Sequence, residues 1–132
     1  MPITYERDDL RRRITVTLHG RFDVDEIVAS IDRQAAEGTW PYSRLYDERG
    51  VPEPPTTAEV RALLGQVRER TRLHGPRGPV AVVTDHSAAY GMVRMYMSLG
   101  DNDGTVEVFR DIAAADSWLT AHASPPDGRA DD

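Results

Sequence analysis

Cysteine is absent from this chain, and with it disulfides, thiol nucleophiles and thiolate metal sites. Lysine is absent too: all 16 basic residues are arginine. That excludes Schiff-base chemistry and the lysine of a phosphate-binding loop, and the codon usage of a GC-rich bacterial genome is a sufficient cause. Long apolar runs are missing as well. The longest aliphatic stretch, Val80 to Val83, is far too short to cross a bilayer. The N-terminal MPITYERDDLRRRI has no apolar signal-peptide core, so a soluble, cytoplasmic bacterial protein is expected. Positive charge is in deficit, with 22 acidic residues against 16 basic and a net charge of −6. This balance repels phosphate backbones and anionic lipid heads, so neither nucleic acid nor membrane is an expected partner. The four histidines show no metal-ligand spacing such as H-E-x-x-H. No metal and no cofactor is expected.

What is present is a regular exchange of strand and helix patterns. ITYERDD and RITVTLHG read as two strands joined by a charged turn, with Ile14, Val16 and Leu18 alternating against Thr15, Thr17 and His19. In DVDEIVASIDRQAAEG the residues Val24, Ile27, Val28, Ile31 and Ala35 form one helical stripe. Asp23 and Glu26 have capping-box spacing, and Gly38 is a natural stop. SRLYDERG is a short strand, and the prolines of VPEPP force a loop. Thr56 and Glu59 then open a helix whose core stripe is Val60, Leu63, Leu64 and Val67. VAVV suits a central strand covered on both faces. A Met-rich helix, the strand TVEVFRD and the helix IAAADSWLTAHA follow. The expected fold is α/β, a mostly parallel five-stranded sheet with an antiparallel first strand and four main helices. A single domain is expected over 1–123, with a disordered tail, SPPDGRADD, over 124–132.

This order resembles the SpoIIAA-like branch of the STAS superfamily, whose founding members are anti-sigma-factor antagonists. The stretches that carry the likeness are ITVTLHGRFD, LYDERG, VAVVTD, YGMVRMYMSLG and VEVFRDIAAADSWL. They cover nearly the whole chain up to about Ala123. The resemblance implies a binding or regulatory module rather than an enzyme. One departure matters. Anti-sigma antagonists carry an Asp-Ser-Ser/Thr-Gly stretch at the start of the second helix, where a kinase phosphorylates a serine. Here PEPPTTAEV stands instead, with Thr56 and Thr57 at the helix start. The phosphoswitch does not carry over, and no phosphorylation is expected at either threonine.

In a parallel sheet the C-terminal strand ends open on one edge, where ligands of α/β folds bind. Those ends collect His19 and Arg21, Asp47 to Arg49, Thr84 to His86, and Arg110 and Asp111. Strand ends are also polar because loops are solvated and helices need caps, a role that suits Ser87 and Asp111. Asp85, His86 and Ser87 are the residue types of a hydrolase triad, but adjacent side chains diverge. Arg11 to Arg13 read as a solvated turn. Between Tyr90 and Met97 stand three methionines and two tyrosines in eight residues. At about 100° per residue, the apolar arc is roughly twice that of an ordinary surface helix. Part of it can cover the sheet, and burial of the rest within the monomer, under the last helix with Trp118, is expected. The surplus invites a homodimer, a partner or a ligand. The expected function is therefore a non-catalytic module binding a small apolar ligand or a protein partner, through Tyr90, Met92, Met95 and Tyr96 with His19, Asp47 and His86. The rivals are a small hydrolase or transferase using Asp85, His86 and Asp47, and a phospho-regulated antagonist.

Overall fold

The fold was obtained as a computed structural model, which describes residues 3–21, 23–87, 90, 91, 94 and 106–122. Among these, five strands form one sheet in sequence order: β1 (Ile3–Asp8), β2 (Arg13–His19), β3 (Ser43–Gly50), β4 (Val80–Val83) and β5 (Val106–Phe109). β1 pairs antiparallel with β2, and every later pairing is parallel. Three helices are described, α1 (Val24–Ala36), α2 (Thr57–His74) and α3 (Ile112–His122). The expected fourth, Met-rich helix falls mostly outside the described residues; Ser87, Tyr90, Gly91 and Arg94 have helical backbone at its place. The expected tail 124–132 also lies outside them.

Sheet order explains the layering. Successive right-handed crossovers that all step the same way across a sheet put their helices on one face. α1 and α2 accordingly pack on each other, while α3, which follows the last strand, packs on β3, β4 and β5. The first face buries Ile14, Val16, Leu18, Tyr46, Val80, Val82 and Val108 with Ile27 and Ile31 of α1. Val60 and Leu64 of α2 are buried, with Leu63 and Val67 half-buried against this core. The second face buries Leu45, Ala81 and Val83 with Ala115 and Leu119 of α3. β4 is buried along its whole length, as its continuous apolar run predicts.

The helix ends follow their local chemistry. Thr56 and Glu59 form both arms of a capping box, at 3.1 and 2.8 Å. At α1 only one arm closes: Asp23 accepts the Glu26 amide at 3.2 Å, and the Glu26 Oε1 is buried without a partner. Gly38 ends that helix region with φ +79°. Asp111 caps α3, accepting the Ala114 amide at 2.8 Å. Ser87 does not cap. It is itself helical, and its hydroxyl accepts from Arg110.

One further expectation is corrected. Arg13 is not part of a solvated turn: it is the first residue of β2 and buried, because the strand's alternation points it under α3, where it pairs with Asp116. The burial expected for the Met-rich segment under the last helix lies mostly outside the described residues. Tyr90 packs against the first core and Trp118 against the second, on opposite faces of the sheet.

Candidate functional site

The C-terminal edge is built by four parallel strands ending together. At β2 and β3 the ladder slips, and His19 stands opposite Gly50 rather than Arg49. The slip relies on glycine: a Cβ on Gly50 would lie 3.0 Å from the Leu18 carbonyl oxygen and 3.1 Å from the His19 Nδ1. The Gly20 amide donates to the Gly50 carbonyl at 3.1 Å and closes the bulge.

Asp47 is engaged on both oxygens. The Arg49 Nε donates to Oδ1 and its Nη2 to Oδ2, each at 2.9 Å, and the Arg49 amide adds a bond at 3.1 Å. This guanidinium holds the Asp47 carboxyl below the usual carboxylate range against the opposing effect of burial, and His19 adds a smaller pull. Arg49 also feels Asp85 across the next strand end. His19, Asp47, Arg49 and Asp85 thus form one electrostatic group.

A second group lies beside it. The Arg110 guanidinium sits 5.1 Å from the Tyr90 ring centroid, with Nη2 donating to the Ser87 Oγ at 3.2 Å. His86 is fixed by its backbone: its amide donates to the Thr84 Oγ1 at 3.2 Å and its carbonyl accepts the Tyr90 amide at 2.9 Å. Tyr90 itself is half-buried.

The site residues expected from sequence therefore separate. The structure brings His19 and Asp47 together and sets Tyr90 near Arg110. Among the described residues no hydrogen bond joins Asp47 to His86; the Asp47 carboxylate pairs with Arg49. Met92, Met95 and Tyr96 lie outside the described residues. Thr56 is the N-cap of α2 and Thr57 its first residue, both exposed. Among the described residues no three His, Asp or Glu side chains converge as metal ligands.

Glu48 is the residue whose environment the sequence conceals. Strand alternation puts it with Arg44 and Tyr46 on the face covered by α1 and α2, at the rim itself. No hydrogen-bond or ion-pair partner meets its carboxyl among the described residues. Burial pushes the carboxyl up to about 7, and the charge of Asp47 adds to the rise.

On the other face, beside α3, a cleft of about 540 Å³ is lined by Arg11, Arg13, Leu45, Asp47, Ile112 and Asp116 among others. Arg13 pairs with the Asp116 Oδ1, which also accepts the Arg11 Nη2 at 2.8 Å. The two guanidiniums hold Asp116 below the usual carboxylate range. Most of the lining is charged, so an apolar ligand finds little to bury there. Alternation from Ile14 could have placed Arg13 on this face, but nothing local marks its partner, 103 positions away.

No family model and no curated protein matches the chain. Solved structures do. The structure of the anti-sigma factor antagonist SpoIIAA in its unphosphorylated form aligns over 90% of this chain and 97% of its own, with TM-score 0.57 and 15% identity. An uncharacterized DUF3478-family protein with a SpoIIAA-like fold from Shewanella loihica PV-4 aligns over 89% and 91%, with TM-score 0.57 and 16% identity. At such identities the likeness establishes the fold alone: this chain has a SpoIIAA-like fold.

Proposed function

We propose that the chain is a non-catalytic regulatory module that binds a protein partner through the C-terminal rim of its sheet, with Tyr90 and the Met-rich segment as the adjoining apolar wall. The closed Asp47–Arg49 pair carries the reading. A histidine in a proton relay is oriented by a carboxylate hydrogen-bonded to its ring, and Asp47, paired with Arg49, makes no hydrogen bond to His19 or His86 among the described residues. Charged pairs at a solvated edge instead suit reversible, electrostatically steered recognition. The charged cleft beside α3 favours a protein partner over a small apolar ligand.

The phospho-regulated reading is weaker. The Thr56 hydroxyl is already the cap of α2, and Glu53 and Glu59 flank the pair of threonines. A phosphate there would add roughly two like charges beside them.

Photo-crosslinking in the native host, with the probe placed at Tyr90, tests the proposal. A discrete adduct with another protein is expected, and Arg49→Ala together with Arg110→Ala should remove it. A dimeric adduct would assign the face to a second copy, and an apolar molecule copurifying in native mass spectrometry would assign it to a ligand. Turnover of model esters or phosphoesters that is lost in His86→Ala would overturn the non-catalytic reading.

A further inference from the structure

The edge opposite the rim carries a surface that rim binding leaves unused. The turn between β1 and β2 closes there, beside the start of β3 and the end of α2. Local bonds pin this turn from several sides. The Arg11 amide donates to the Asp8 Oδ1 at 3.1 Å. Asp9 accepts the Arg7 Nε and the Tyr42 hydroxyl, both at 2.7 Å. The Arg12 guanidinium lies 5.0 Å from the Tyr42 ring centroid, and its carbonyl accepts the Ser43 amide at 3.0 Å. Arg12 also has φ +52°, a left-handed conformation that a non-glycine residue keeps only where its surroundings over-determine it.

A turn this constrained presents its tip in one geometry, and the tip is Leu10, 83% exposed. The other large apolar side chain standing in water among the described residues, Leu73, is 72% exposed on the last turn of α2. α2 runs from the rim to this same edge. Scattered exposed leucines need no explanation; here both stand at one end, among arginines of which Arg7 and Arg72 are paired with Asp9, Glu37 and Glu69. Arg12 and Arg77 have no ion pair among the described residues, and the Nε of each is buried without a hydrogen-bond partner. Arg77 rests between the rings of Trp40 and Tyr46, at 5.6 and 5.9 Å. The C-terminal dipoles of α1 and α2 account for cations at this edge. They do not account for the leucines.

We infer that this edge is a second docking surface, shaped for a segment of a partner protein that presents carboxylates beside apolar side chains. Guanidiniums match carboxylates in a planar, directional way. Leu10 and Leu73 supply apolar anchors, and the pinned turn is ordered before binding, so little conformational freedom is lost. Nucleic acid and anionic membrane would meet the repulsion of a chain carrying net charge −6. A short acidic segment meets it far less. With the rim at the opposite end, the molecule could bridge two proteins.

The probe is a fluorescent synthetic helix of about four turns, made of glutamate with leucine at helical spacing, titrated with the full chain and read by anisotropy. Saturable binding is expected with a dissociation constant on the order of 100 μM, falling several-fold when salt shortens the screening length. The double variant Leu10→Ser, Leu73→Ser should bind at least tenfold more weakly. Arg12→Gly, which keeps the left-handed backbone and removes the guanidinium, should bind several-fold more weakly. Arg61→Ala, exposed on the second turn of α2 toward the rim, should bind as the parent does. Circular dichroism confirms the fold of each variant. Equal binding of a lysine-for-glutamate peptide, undiminished binding by the double leucine variant, or no saturation would overturn the inference. So would self-association in sedimentation that the leucine variants abolish, since a second copy would then own the surface.

Discussion

The two ends of the sheet handle charge in opposite ways. At the end where the parallel strands begin, Arg44 is fully buried and has no carboxylate partner among the described residues. Its guanidinium donates to the Gln34 Oε1 at 2.6 Å and to the carbonyls of Thr39, Trp40 and Tyr42 at 2.8 to 3.0 Å. Burial and the nearby Arg77 lower its pKa to about 10, so it stays charged at neutral pH. At the end where the strands stop, Asp47 and Arg49 pair at the edge of solvent, and Glu48 has no partner among the described residues. One end uses a charge as the fixed hub of a loop that must be buried. The other keeps an exposed pair, Asp47 and Arg49, that can rearrange at small cost to the fold, which is what reversible recognition needs.

The largest effect expected from this contrast is on Arg44. Arg44→Leu leaves the Tyr42 carbonyl and the Gln34 Oε1 without donors in a buried site, and the Thr39 and Trp40 carbonyls with one backbone donor each. We expect a loss of about 3–5 kcal/mol in chemical denaturation. Arg44→Lys should recover less than half, because a compact ammonium cannot reach four acceptors arranged around a planar fork. A loss under about 1 kcal/mol for Arg44→Leu would mean that the two ends do not differ as described.

Much of the fold was legible before the structure, and particular residues show why. β2 declares itself by the alternation of Ile14, Val16 and Leu18, and α2 by Thr56 and Glu59. The parallel order follows because strands and helices of ordinary length take turns. Arg44 was not legible as a hub: in SRLYDERG it reads as one polar residue of a strand, and its partners are mostly backbone carbonyls, which leave no mark in a sequence. The Arg13–Asp116 pair was hidden by distance along the chain. The rim was legible as a location, since strand ends collect there, but the pairing within it was not. Asp47 chose its near neighbour Arg49 over His86, and the covering of Glu48 depends on helices packed from elsewhere.

Glu48 gives the next largest expected effect. Its folded pKa, about 7, lies above the ordinary value of 4.5. Between those values the folded chain binds a proton that the unfolded chain has released, so the stability tied to protonated Glu48 is complete below about pH 4.5 and is lost as pH rises through about 7. Glu48→Gln mimics the protonated form. Its advantage over the parent should be near zero at about pH 4.5 and grow to as much as about 3 kcal/mol by about pH 8. Parallel stability profiles for the two proteins would show that this carboxyl is not poised at the rim.

A smaller effect belongs to the start of α2, which lies at the same end as the rim. Thr56→Ala should lower stability by about 1 kcal/mol, the usual worth of an N-cap. Thr57→Ala, one position inside the helix, should change it by less than half of that. Phosphopeptide mass spectrometry of protein from its own host should find both threonines unmodified. Stoichiometric phosphothreonine at either would revive the phospho-regulated reading.

The smallest stability effect and the sharpest test of the contrast meet in Arg49→Ala. The Arg49 side chain is 46% exposed and that of Asp47 is 19% exposed, so screening leaves the pair worth less than about 1 kcal/mol. The sign of its pH dependence is opposite to that of Glu48. Because Arg49 lowers the Asp47 pKa, the pair stabilises the fold above the ordinary carboxylate range, and the contribution fades as pH falls through the depressed value. The deficit of Arg49→Ala should therefore vanish in acid. If the rim recognises a partner, the same substitution should weaken the partner complex by roughly tenfold or more, since it removes a directional guanidinium and frees an acidic Asp47 at the contact. A residue that matters little to the fold and much to the complex marks this end as the working one. Arg44, at the far end, should show the reverse: a large cost to folding, with binding at the rim unchanged in whatever fraction remains folded.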